Sequence, residues 1–127
     1  MTNSFPSLVS SEWLAARLGD PDLAVLDASH HLPAAARDPG AEFAAGHIPG
    51  ARFLGLGKLF DAESPVPYAL PRPEQLAERL AALGIAPDAQ IILYDDSALR
   101  SSARAWFMLT ASGWDKVAIL DGGLAKW

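Results

Sequence analysis

The chain has 127 residues, half of them hydrophobic and a fifth charged, which predicts one globular domain large enough to bury a core. A net charge of −5 argues against nucleic acid or an anionic membrane as a partner, and no apolar run approaches the roughly 20 residues of a membrane helix. With no cysteine there can be no disulfide, and Met1 to Pro6 lack the basic stretch and apolar core of a signal peptide, so the expected location is cytoplasmic.

In chain order, Ser10 or Ser11 caps a first helix through Trp13, Leu14 and Leu18, stopped by Gly19. Leu23 to Asp27 is a short apolar run ending in a carboxylate, which predicts a buried strand. A short helix is expected over 41–45 and a strand over 51–54. Residues 57–72 read as loop, broken by Pro65, Pro67 and Pro71. Pro73 opens the clearest helix, with Leu76, Leu80 and Leu83 on one face as core and Gly84 at its end. Ile91 to Tyr94 is a continuous apolar run, as in a strand covered on both faces. Ser101 or Ser102 caps the next helix, with Ala103, Trp106, Phe107 and Thr110 on one side and Gly113 at its end. Val117 to Leu120 is the last strand. Strands alternating with helices predict an α/β domain with a mainly parallel sheet of about five strands and helices on both faces.

Four places carry candidate chemistry. In His47-Ile48-Pro49-Gly50, Pro49 fixes φ and Gly50 accepts φ > 0, so the segment is a type II turn that launches the strand after it. The turn leaves His47 unexplained, so it is a candidate functional residue. The loop from Asp95 to Arg100 leaves a strand and enters a helix, where open parallel sheets bind ligands. Arg100 and Arg104 sit where the helix dipole disfavours cations, so they read as anion or interface contacts, or as arginines paired with Asp95 or Asp96. His30 and His31 are neighbours in extended chain and point opposite ways, so no metal site is expected. Gly122-Gly123 reads as a turn, and no nucleotide-binding motif is present, so no cofactor is expected.

Glu42 to Ala51, with His47-Ile48-Pro49-Gly50 inside it, and Leu120 to Trp127, with Asp121-Gly122-Gly123, resemble the two signature stretches of the rhodanese sulfurtransferase family. The resemblance runs from Leu8 to Trp127. It narrows to the N-terminal half of two-domain thiosulfate/3-mercaptopyruvate sulfurtransferases at three places. These are Leu26-Asp27-Ala28-Ser29 with Arg37-Asp38, the proline-rich loop from Ser64 to Glu74, and Tyr94-Asp95 with Ser102 to Leu109. Ala103 departs from it, since relatives tend to have proline there.

That resemblance implies a rhodanese-like fold and a reaction in which sulfane sulfur passes from 3-mercaptopyruvate or thiosulfate to a cysteine, then to a thiol or cyanide. Here Asp95 takes the cysteine's place, and a carboxylate there is expected to accept the loop's own N–H groups and hold it shut. The nucleophile would lie in a C-terminal rhodanese domain of the same protein. This chain would supply His47, with Asp38 as its carboxylate partner, to a site between the two. The abrupt end at Trp127 is consistent with a fragment of a longer protein. Two other readings stand beside this one: a complete, inactive rhodanese-like binding or regulatory module, and a phosphatase with Asp95 as nucleophile.

Overall fold

A computed structural model describes residues 5–66, 69–96 and 101–127. Five strands form one sheet: β1 (Leu8–Val9), β2 (Leu23–Asp27), β3 (Arg52–Phe53), β4 (Gln90–Tyr94) and β5 (Val117–Leu120). Their spatial order is β1-β5-β4-β2-β3 and every pairing is parallel. The α/β expectation therefore holds, in the stricter form of an all-parallel sheet. Among the described residues five α-helices accompany the strands: α1 (Ser11–Ala15), α2 (Pro39–Ala45), α3 (Pro73–Ala82), α4 (Ser102–Ala111) and α5 (Gly123–Lys126). Among the described residues no helix is long and apolar enough to cross a membrane.

Strand side chains alternate between two apolar cores. On β2 and β4, Ala24, Leu26, Ile91 and Leu93 join Leu76 and Leu80 of α3 and Ala105, Met108 and Leu109 of α4. Their neighbours Val25, Ile92 and Tyr94 face the other way, against Leu14 of α1, Phe43 of α2 and Leu124 of α5. This two-sided burial explains why β2 and β4 read as unbroken apolar runs rather than as alternating ones.

Local chemistry sets most boundaries. Ser10 caps α1 by accepting the Trp13 amide at 3.0 Å, but the helix ends at Ala15, and turns carry the chain on to Gly19. Asp38 caps α2 through the amides of Gly40 and Ala41, so the helix starts two residues earlier than expected. The turn after His47 forms as read: Ala51 N–H donates to Ile48 O at 2.9 Å and Gly50 has φ 79°. Within the loop expected over 57–72 a short 3₁₀ helix, Leu56–Lys58, appears, and Pro67 lies outside the described residues.

Two features are not legible in the sequence. β1 is only two residues long, too short to show a period, and it became a strand by pairing with β5. The face of α4 that enters the core is Ser102, Ala105, Met108 and Leu109, not the side carrying Ala103, Trp106, Phe107 and Thr110. Trp106 is half-buried and its indole N–H donates to Val117 O at 3.1 Å, while Phe107 is exposed. Both sides of α4 carry apolar residues, and the position of the sheet selected between them.

Leu80 is fully buried between α3 and the sheet. Leu80→Ala should cost roughly 2–5 kcal/mol, by loss of burial and the cavity left behind. Urea unfolding of the two chains measures this; a loss under about 1 kcal/mol would mean the α3 interface is looser than described.

Candidate functional site

From β2 the chain passes to β3 on one side and returns to β4 on the other. The crevice beyond the carboxyl ends of β2 and β4 is where open α/β sheets place ligands. Two loops line it, 28–38 after β2 and the segment from Asp95 into α4.

Asp95 is the node of the second loop. Its Oδ2 accepts the Ser102 amide at 2.9 Å and the Ser102 hydroxyl. A side chain seven residues upstream thus occupies the first amide of α4, where the sequence points to a serine cap. Ser101 makes no capping bond and is used elsewhere. The Asp95 carbonyl accepts the Leu124 amide at 3.1 Å, which ties the start of α5 to the same corner. A Cβ on Gly123, which has φ 61°, would stand 2.5 Å from that carbonyl, so the second glycine of Asp121-Gly122-Gly123 permits the contact. Arg104 lies exposed in the first turn of α4, and Arg100 lies outside the described residues. An anion brought to this helix start would compete with the Asp95 carboxylate for the Ser102 amide.

Buried and half-buried hydrogen bonds join the two loops. Ser101 donates its hydroxyl to Ala28 O at 2.6 Å and accepts the His30 amide at 3.1 Å. Ser29 Oγ accepts the Asp96 amide at 2.9 Å, and the Ser29 amide donates to Asp27 Oδ1 at 2.8 Å. Burial pushes the Asp27 carboxyl above the usual carboxylate range; Ser29 opposes this by hydrogen bonding, and the nearby Asp95 charge adds to it. Tyr94, opposite Asp27 in the register, has its phenol raised by burial and then by the Asp27 charge. Its hydroxyl accepts the Ile48 amide at 3.4 Å, beneath the turn that carries His47.

A surface network closes the crevice. Arg37 donates from Nε to Glu42 Oε2 at 2.7 Å and from Nη2 to Asp96 O at 3.0 Å. Buried His31 shares Glu42 through Nε2 at 2.8 Å. The Glu42 carboxyl is held below its ordinary range, first by Arg37 and then by His31. Ala36, just before Arg37, takes φ 51°, a left-handed geometry that costs an alanine about 1 kcal/mol and that these contacts hold in place.

The expected His47–Asp38 pair is not formed. Asp38 caps the start of α2, whereas His47 lies past its end, donating from Nδ1 to Phe43 O at 2.8 Å with its ring stacked on Phe43 at 4.1 Å. The histidine that does meet a carboxylate is His31. Its partner Glu42 lies eleven residues on, across a loop and half a helix, a separation with no local signature. His30 points elsewhere, against Gly57.

Two outcomes follow. Asp95→Ala should lose about 1 kcal/mol with the cap, and Asp95→Asn, which keeps an acceptor, should lose less; equal losses in chemical denaturation would mean the capping bond is not the cause. Asp27→Asn keeps an acceptor for Ser29 and removes a buried charge. A carboxyl raised in the folded state confers stability that is complete below its unfolded pKa, near 3.9, and lost as pH rises through the folded value. The stability of Asp27→Asn relative to the parent should therefore rise from about pH 4 to pH 7. Urea titrations across that range that give a constant difference would contradict the assignment.

The sequence profile of the rhodanese-like domain matches residues 10–127. The chain is 43% identical over 120 residues to 3-mercaptopyruvate sulfurtransferase of Escherichia coli K12, covering 94% of this chain and 43% of that protein. It is 40% identical to the 3-mercaptopyruvate sulfurtransferase of Homo sapiens, covering 95% and 43%. The crystal structure of SseA from Escherichia coli, a 3-mercaptopyruvate sulfotransferase with the rhodanese fold, superposes with a TM-score of 0.87 at 43% identity, over 95% of this chain and 47% of that one. The chain thus spans less than half the length of these relatives.

Proposed function

The chain belongs to the rhodanese-like domain family, and from that premise we propose that it serves as the non-catalytic N-terminal domain of a two-domain sulfurtransferase of the 3-mercaptopyruvate or thiosulfate type. The observation that carries this is Asp95. At the corner between β4 and α4 the chain places a carboxylate that caps its own helix, and no thiol exists anywhere in the 127 residues to carry sulfur. The extent of the match to relatives more than twice as long supports the same reading.

In this reading a cysteine thiolate in a C-terminal rhodanese domain of the same cytoplasmic protein attacks the donor's transferable sulfur, and the S–S bond of thiosulfate or the C–S bond of 3-mercaptopyruvate breaks as sulfite or the pyruvate enolate leaves. The persulfide formed there then passes its sulfur to a thiol or cyanide. No cofactor is needed. This domain presents His47 to the shared site, its ring fixed by the Phe43 carbonyl and stacking, so that Nε2 is left for proton transfer. Asp38 contributes by starting α2, not by pairing with His47. The Arg37–Glu42–His31 network and the Asp95 cap keep the crevice walls rigid. A phosphatase reading is weakened because Asp95 Oδ2 is already engaged by Ser102.

The test is a sulfurtransferase assay on this chain and on the full product of its gene, with 3-mercaptopyruvate or thiosulfate as donor and cyanide as acceptor. Activity is expected in the full product and none in the cysteine-free chain. In the full product, His47→Ala should lower kcat/KM about 10²-fold or more while His47→Gln restores little, as for lost proton transfer. Inactivity of the full product would favour a binding module. Activity of this chain alone would overturn the proposal.

A further inference from the structure

Between α2, β3, the 3₁₀ turn Leu56–Lys58 and α3 lies a cleft of about 670 Å³, within the size range of small-molecule sites. Ser29, His30 and Asp38 of the first crevice loop line it, whereas His47 and Asp95 do not. Its walls combine an apolar floor with donors that the fold leaves unused. Phe53 and Leu59 supply the apolar part.

Arg79 supplies the first donors. Its Nε and Nη2 donate to Leu54 O and Phe53 O, each at 2.9 Å. Two of the five guanidinium N–H groups are thus spent on holding the side chain still, and three are left. A guanidinium already immobilised loses little entropy when it meets a ligand. Lys58 stands at the rim with no ion-pair partner among the described residues. The His30 imidazole has no hydrogen-bond partner among them either. Its position is fixed by packing: a Cβ on Gly57 would stand 2.9 Å from His30 Nδ1, so the glycine gives the ring its place.

Two acids also line the cleft. Asp38 Oδ1 is occupied by the amides of Gly40 and Ala41, and Glu78 is exposed on α3. Arg79 and Lys58 thus keep unspent N–H groups beside an aromatic wall, and the acceptors left to the cleft are Asp38 Oδ2, the Gln75 side-chain oxygen and the Glu78 carboxylate. We infer that this cleft binds a small organic carboxylate with a flat apolar body, the carboxylate on Arg79 and Lys58 and the body on Phe53.

Phenylacetate is a suitable probe, with the neutral phenylacetamide as its control of equal shape. Titrated into the ¹⁵N-labelled chain, phenylacetate should shift the amides of Gly40, Gly55 and Gly57 saturably, and phenylacetamide should bind about tenfold more weakly for want of the charge-assisted bonds. Lys58→Gln, an exposed change that leaves the fold intact, should weaken phenylacetate binding about tenfold while leaving the amide shifts of β4 and β5 unchanged. No saturable shift at high millimolar concentration overturns the inference. So does equal binding of the acid and the amide, or a Lys58→Gln variant that binds phenylacetate as the parent does.

Discussion

The structure depends on the parallel pairing of β2 with β4, which runs in one register from Leu23 opposite Gln90 to Asp27 opposite Tyr94. Both strands are covered on each face, so a slip of one residue would exchange the two apolar cores. Their common end sets the heights of Asp27 and Tyr94. Beyond it, the Ala28 amide donates to Tyr94 O at 2.8 Å and the Leu54 amide to Asp27 O at 3.0 Å, which brings β3 into line. The walls of the crevice are therefore extensions of this one pairing.

Asp27, Ser29 and Ser101 are buried at that edge, and each holds hydrogen bonds. Ser29 and Ser101 connect the two loops: the Ser29 hydroxyl accepts the Asp96 amide, and the Ser101 hydroxyl accepts the His30 amide and donates to Ala28 O. A buried hydrogen bond contributes only about 1 kcal/mol net, but leaving its donor or acceptor unanswered costs more, so the set holds as a unit. Asp95 belongs to the same logic. Its carboxylate is an anion supplied by the chain itself, and it already holds the Ser102 amide at the start of α4.

The sequence made much of this legible where the cause is local. Pro73 at the start of α3, Gly84 at its end, and the Pro49-Gly50 turn follow from backbone chemistry that neighbouring residues dictate. The apolar runs at β2 and β4 announced burial on both faces. The stretches around His47 and Asp121-Gly122-Gly123 carry the likeness to the family. Elements whose cause is distant were not legible in this way. β1 exists through β5, the buried face of α4 was chosen by the sheet, and Asp95 replaced the serines as the cap.

By itself, then, the sequence determined the α/β class, the helix and turn boundaries set by proline and glycine, and the absence of a thiol at the corner after β4. Only the tertiary structure decided which charged groups meet. It placed His31 rather than His47 on a carboxylate, joined Arg37 to both Glu42 and Asp96 O, and left Arg79 and Lys58 facing a cleft. Such partners lie far apart in the chain or on different elements. Their meeting is governed by the packing of helices onto the sheet, which no local period encodes.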